Sequence, residues 1–339
     1  MKMKKLTHRI SIVATIFLTT ALLLSACGTS SSSTSPAAST SAKPSAAAST
    51  SSIQVAYICK NTVDAFHQTI NAAAKKALDD MVAAGTIKSW QLYDGQTDPA
   101  TQVTLLDTAI TNGANFVVFL PAESAGSDPV VTKCAQDKIP CVVVNSKTTS
   151  TDEKATAFVG SDDVFAGEMM GKYIQGKCTN GGMYLHMQGV IGNSAQIDRG
   201  KGIANILGAD SKFKMAGEYA CDWSADKAVS NATDAITTYG TKIVAIVCDN
   251  DDMSSAVQNY CNSIGRKDIF CIGVDGNQGP LGMVKAGSLG ATVLQDGASQ
   301  VTTAIGLIPD IIAGKTVEKS TKIPFVLVTT DNVDKYLKK

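Results

Sequence analysis

The sequence predicts an α/β protein made of two doubly wound lobes, each built on a parallel sheet. Three observations lead there. Short β-branched or apolar runs alternate with longer helical patterns along the chain, the signature of parallel sheets covered by helices. The strand candidates are almost continuously apolar, as in Phe116-Val117-Val118-Phe119-Leu120, which fits strands buried on both faces. The series also runs twice, from Ile53 to about Gly160 and again from near Met183.

The chain opens with Lys2, Lys4, Lys5 and Arg9, followed by fifteen mostly apolar residues from Ile10 to Leu24. A membrane span needs about 20 such residues, so this layout is that of a secretory signal. Its last four residues, Leu24-Ser25-Ala26-Cys27, resemble a bacterial lipobox. That resemblance implies cleavage before Cys27, lipid on Cys27 and an anchor on the outer face of a membrane. Residues 1–26 are then the signal. Gly28 to Ser52 holds only Ser, Thr, Ala, Pro, Gly and Lys43. Such a segment has nothing to bury, so residues 27–52 read as the lipidated cysteine and a disordered tether. A flexible coil of this length spans about 25–30 Å.

From Ile53 onward the strand candidates are Val55–Ile58, Trp90–Tyr93, Phe116–Leu120, Val142–Val144, Met183–His186, Lys214–Tyr219, Ile243–Val247, Ile269–Val274 and Ala291–Leu294. Helical patterns cover Phe66–Ala84, Ala100–Asn112, Val164–Gln175, Ala195–Leu207, Ala225–Tyr239, Ser254–Ile264 and Ala298–Ala313. Polar residues follow the strands: Lys60 and Asn61, Glu123 and Ser124, Asn145 and Ser146, Asp222 and Trp223, Asp249 and Asn250, Asp275 and Asn277. Ligands of open α/β sheets bind at those strand ends. If the lobes face one another, these loops line one cleft.

Charge and cysteines narrow the function. Losing Lys2, Lys4, Lys5 and Arg9 leaves 26 basic against 30 acidic side chains, a net charge of about −4. No basic run or basic helix is present, which argues against nucleic acid, whose binding rests on clustered Lys and Arg. Eight cysteines follow Cys27, none with C-x-x-C spacing, so no zinc knuckle or thioredoxin-type site is indicated. Cys134 with Cys141 and Cys261 with Cys271 flank helix-to-strand turns. Each pair is compatible with a local disulfide or with two buried thiols, and we favour the thiols.

Several motifs in order resemble one family: the sugar-binding proteins of bacterial ABC importers with the type I periplasmic-binding fold, in their ribose-binding-like branch. The motifs are Gln188-Gly189-Val190-Ile191-Gly192-Asn193-Ser194-Ala195 with Arg199-Gly200-Lys201-Gly202, then Ile272-Gly273-Val274-Asp275-Gly276, Asp249-Asn250-Asp251-Asp252-Met253 and Gly160-Ser161-Asp162-Asp163. The resemblance spans nearly all of Ile53–Lys339. It implies a three-crossing hinge near Ser161–Asp162, Gln295–Gly297 and Pro324–Val326. The first lobe would be residues 53–161 with 297–324, and the second residues 162–296 with 325–339.

Carried over residue by residue, the resemblance makes Trp223 and Phe66 the aromatics that cover sugar C–H faces. It makes Asn250, Asp275 and Gln295 polar contacts, with Asn145 where ribose binders have an aspartate and Ser146 where they have an arginine. It places the other arginine of the ribose pattern at Ile197, beside Gln196. Lys60, Asp64 and Gln196 complete the expected ligand site, because carboxylates, amides and ammonium groups bond hydroxyls. Lys60 and Asp64 are also expected to form a solvated ion pair. His67 reads as a structural or helix-start histidine, and Arg199 as a salt-bridge residue inside its lobe.

With both arginines of the ribose pattern absent on this reading, a hexose, polyol or cyclitol fits as well as ribose. The resemblance implies a monomer, no cofactor and no metal, delivering a sugar-like ligand to an ABC permease. A sensory co-receptor presenting the same ligand to a membrane kinase or chemoreceptor is the alternative. For a secreted enzyme little speaks: after signal removal only His67 and His186 remain, with no Gly-x-Ser-x-Gly, His-Glu-x-x-His or Walker loop. A repressor of related fold would carry a helix-turn-helix in place of the signal.

Overall fold

A computed structural model describes residues 51–338. The expected signal, the lipidation site at Cys27 and the tether up to residue 50 lie outside the described residues.

The first sheet contains β1 (Gln54–Cys59), β2 (Ser89–Asp94), β3 (Phe116–Phe119), β4 (Cys141–Asn145), β5 (Ala157–Gly160) and the late strand β12 (Ser320–Lys322). Their order is β12-β5-β4-β3-β1-β2, and every pair is parallel. Four parallel strands form the second sheet: β6 (Gly182–Gln188), β7 (Phe213–Ala220), β8 (Ile243–Cys248) and β9 (Phe270–Ile272), in order β7-β6-β8-β9. A third, small sheet joins β10 (Val274–Asp275), β11 (Thr292–Leu294) and β13 (Val326–Val328), with β13 antiparallel to β11.

The helices are α1 (Ala65–Ala83), α2 (Pro99–Thr111), α3 (Asp128–Gln136), α4 (Thr151–Lys154), α5 (Asp163–Lys177), α6 (Ser194–Ile203), α7 (Ala225–Tyr239), α8 (Asp251–Ser263), α9 (Gln278–Lys285), α10 (Gly297–Gly306) and α11 (Ile308–Ile312). Side chains of β1 alternate between two cores, as the period of a strand requires. Val55, Tyr57 and Cys59 join Ile70, Leu78 and Val301 on one face, while Ala56 and Ile58 join Leu106, Phe119 and Val130 on the other. The second sheet is covered in the same way on both faces. Each fully buried large apolar side chain contributes roughly 1.5–3 kcal/mol.

The main departures from expectation have local causes. The expected strand Ile269–Val274 is two strands, because β8 ends at Cys248 and leaves Val274 no neighbour there. Val274 pairs instead with Val293 of β11. The expected helix Ala195–Leu207 widens into a π-helical turn at Ala204–Gly208. Ala298–Ala313 is broken, with Pro309 starting a new helix as residues without an amide donor do. Strands β5, β12 and β13 and helices α3, α4 and α9 are additional elements.

The chain leaves the first sheet after Gly160, returns after Leu294 and leaves again after Lys322. These passages are tied together. Ser161 Oγ donates to the Ile323 carbonyl (2.6 Å), and Gln300 Nε2 of α10 donates to Ser161 Oγ (2.7 Å). Helices α5 and α6 meet at glycines: a Cβ on Gly167 would lie 2.2 Å from the Arg199 carbonyl, and one on Gly202 would lie 2.0 Å from the Val164 carbonyl. That close approach brings Arg199 to Asp163. All eight cysteines after residue 50 are buried free thiols.

Candidate functional site

The strand-end loops of the two lobes meet. Ser124 N donates to the Gly192 carbonyl (2.9 Å), Lys147 N to Ser194 Oγ (2.8 Å), and Asn193 Nδ2 to the Ala122 carbonyl (2.9 Å). Below this closed rim lies a narrow cleft of about 30 Å³. Lys60, Asp64, Phe66, Asn145, Trp223, Asn250, Asp275 and Gln295 all line it. Gln196 does not. Its side chain accepts from Gly192 N (3.2 Å) and shapes the rim loop instead.

On the first-lobe wall, Asn61 folds the loop after β1. Its Oδ1 accepts from Val63 N and Asp64 N, and its Nδ2 donates to Asp64 Oδ2 (2.7 Å). This turn hands the chain to α1 and sets Phe66 and His67 against the cleft. Phe66 also packs on the first-lobe core. His67 stands in the first turn of α1, as expected; it is only 5% exposed, lines the cleft, and its Nδ1 has no hydrogen-bond partner. Burial, with Lys60 nearby, holds its imidazole well below the usual range, hence neutral.

Lys60 is likewise not solvated. It is 4% exposed, and no carboxylate comes within 4.0 Å of its Nζ among the described residues. Nζ lies instead 4.6 Å from the centroid of the Trp223 ring, a cation–π contact. Burial lowers its ammonium to about 8, against the opposing pull of Asp64. Asn145, at the tip of β4 with φ +70°, gives Nδ2 to Gln300 Oε1 (3.0 Å).

The second-lobe wall is more charged. Trp223 sits with Asp222 at positive φ, +64° and +52°. Its ring lies against Gly189, where any Cβ would fall 2.1 Å from a ring carbon. Asn250 caps α8 through Oδ1 to Met253 N (3.0 Å) and holds the Trp223 carbonyl with Nδ2 (3.3 Å). Burial, then the neighbouring Asp251, pushes the Asp275 carboxyl well above the usual range.

Arg199 forms the expected salt bridge to Asp163 (Nε to Oδ1, 2.9 Å), and it also faces the cleft. Its Nη2 donates to Gln295 Oε1 (3.2 Å), and its Nη1 donates to the Asp249 carbonyl. Ile197, where the resemblance put an arginine, is 50% exposed and off the cleft. One turn geometry explains both. On α6, residues two apart point to different sides, so Arg199 reaches inward while Ile197 looks out. Asp252, Ser146, Asn193 and Ala195 complete the lining. Of these, Asp252 was legible as the third acid of the strand-end run Asp249-Asn250-Asp251-Asp252. No group of three His, Cys, Asp or Glu side chains suited to a metal ion occurs among the described residues.

Comparison with known proteins agrees with this architecture. The chain is 28% identical over 265 residues to the xylitol-binding protein of Mycolicibacterium smegmatis, covering 77% of this chain and 74% of that one. It is 29% identical over 238 residues to the ribose import binding protein RbsB of Bacillus subtilis, covering 70% and 76%. An ABC transporter solute-binding protein of Bacillus halodurans C-125, solved with myo-inositol, superposes with a TM-score of 0.78. The identity is 24%, covering 85% of this chain and 98% of that one. The family described as periplasmic binding protein domain matches residues 55–316, most of both lobes and all of the cleft wall. The chain belongs to that family.

Proposed function

We propose that this protein is an extracytoplasmic solute-binding protein that captures a sugar or polyol between its lobes and delivers it unchanged to an ABC importer. One observation carries the reading. Among the described residues, four buried side-chain polar atoms lack a hydrogen-bond partner, and three of them, His67 Nδ1, Trp223 Nε1 and Gln295 Nε2, belong to residues lining this one cleft. Buried polar groups are otherwise almost always paired. A ligand rich in hydroxyls supplies donors and acceptors in the numbers needed, while Asp252 and Asp275 accept from it. Phe66 and Trp223 supply surfaces for C–H faces. The names of relatives, xylitol- and ribose-binding, and the myo-inositol in a structural neighbour, lie in the same chemical class.

Binding works by closure. A ligand touching both walls favours the closed arrangement by its differential affinity for it. Lipidation at Cys27 would keep the protein beside its permease. Residues 53–161 with 297–324 and 162–296 with 325–339 act as the two jaws. A thermal-shift screen with pentoses, hexoses, pentitols and inositols tests the reading. A true ligand at 100 times its Kd stabilises by about 2.7 kcal/mol. Trp223→Ala is expected to abolish the shift while the unliganded protein still folds; no shift with any member of the panel would overturn the assignment.

A further inference from the structure

Behind Trp223 runs a chain of ionised groups. His186 of β6 is 1% exposed. Its Nδ1 lies 2.8 Å from Glu218 Oε1 on β7, and its Nε2 2.8 Å from Asp249 Oδ1 at the end of β8. A neutral imidazole has one N–H, so one of these contacts would set a lone pair against a carboxylate. Only the imidazolium donates to both. Asp249 is fully buried, and its second oxygen accepts from Gly189 N (2.8 Å). Gly189 is the surface against which the Trp223 ring rests. The residue after Asp249, Asn250, holds the Trp223 carbonyl. The Asp222–Trp223 turn, with two non-glycine residues at positive φ, persists only if its surroundings over-determine it.

We infer that His186 is a positioning residue: held as an imidazolium between Glu218 and Asp249, it fixes the Asp249 carboxylate on the Gly189 amide and thereby the Trp223 indole in the cleft. The inference rests on the reading of Trp223 as a ligand contact. The groups facing His186 are few. Glu218 comes from β7 and Asp249 from β8. Helix α6 presents Gly200, whose added Cβ would lie 3.3 Å from Cε1, and Arg199, which bonds the Asp249 carbonyl and is itself held by Asp163 of α5. The Cys221 and Cys248 thiols pack with Leu185 and Met187 on the opposite face of the sheet. Burial opposes the charge on His186, but the two carboxylates outweigh it and push the imidazole up to about 9.

The test uses a Trp90→Phe background, so that tryptophan emission reports Trp223 alone, with and without Glu218→Gln. Nitrogen NMR of the histidine rings is expected to show both His186 nitrogens protonated up to pH 8; a neutral tautomer at pH 7 overturns the inference without any ligand. Affinity for xylitol and myo-inositol is then measured at pH 6 and pH 8. Glu218→Gln is expected to weaken binding about tenfold at pH 8 and under about twofold at pH 6, because acid restores the proton. Trp223 emission should shift in parallel. A purely structural role predicts the same ratio at both pH values, which also overturns the inference. If neither polyol binds the unmodified protein, that result bears on the choice of ligand alone, and the NMR and emission arms still decide the role of His186.

Discussion

Each lobe buries a cation whose hold on its proton is displaced, and the two shifts run in opposite directions. Lys60 in the first lobe is pushed down to about 8, and His186 in the second is pushed up to about 9. Burial disfavours both charges; the neighbours differ. The second lobe buries four carboxylates, Asp163, Asp249, Asp251 and Asp275, whereas no buried carboxylate belongs to the first lobe among the described residues. The first wall thus carries one under-compensated ammonium with no buried carboxylate beside it. The second is wired by ion pairs. Charged groups buried together fix one another's positions, and a lone one remains available to a ligand.

The largest expected effect comes from cutting the second-lobe wiring. Arg199→Met leaves Asp163 buried without its partner and is expected to destabilise the protein by about 3–5 kcal/mol, seen as a lower urea midpoint. A midpoint unchanged at neutral pH would break the contrast between lobes. An intermediate effect comes from pH. Below pH about 6.5 His186 is charged whether the chain is folded or not. Between there and about 9 only the folded chain keeps the proton, so its contribution is lost as pH rises through that window. Lys60 works in the other direction above about 8, where the unfolded chain holds the extra proton. Stability is therefore expected to fall most clearly between pH 6.5 and 8, by denaturation at fixed salt, and Glu218→Gln should flatten that fall. The smallest effect is expected from Lys60→Met. It removes a buried charge without orphaning a carboxylate, and exchanges the contact with Trp223 for packing, so stability should stay within about 1 kcal/mol of the unmodified protein. A loss comparable to that of Arg199→Met would show that the first lobe is wired too.

Much of this was legible in the residues. The alternation of apolar strands and amphipathic helices fixed the two-lobed architecture, and the polar residues after each strand pointed to the cleft. Eight of the nine proposed ligand residues line it; Gln196 stands off the lining, its Oε1 accepting from Gly192 N. Arg199 was seen only as a salt-bridge residue, since its second face depends on α5 and α6 touching through Gly167 and Gly202. The place of His67 at a helix start is visible in the sequence, but such a position gives no sign of an unpartnered ring nitrogen. Short strands such as β12 and β13 carry too few side chains to show a period, and take their place from pairing partners far along the chain.

Two of the three contacts named across the rim begin from main-chain amides, Ser124 N and Lys147 N, and one of these ends on a main-chain carbonyl. Such links do not depend on which side chains furnish the interior. Substitutions at Lys60, His67 or Asp252 can therefore retune what is held while the seam that joins the two jaws stays as it is.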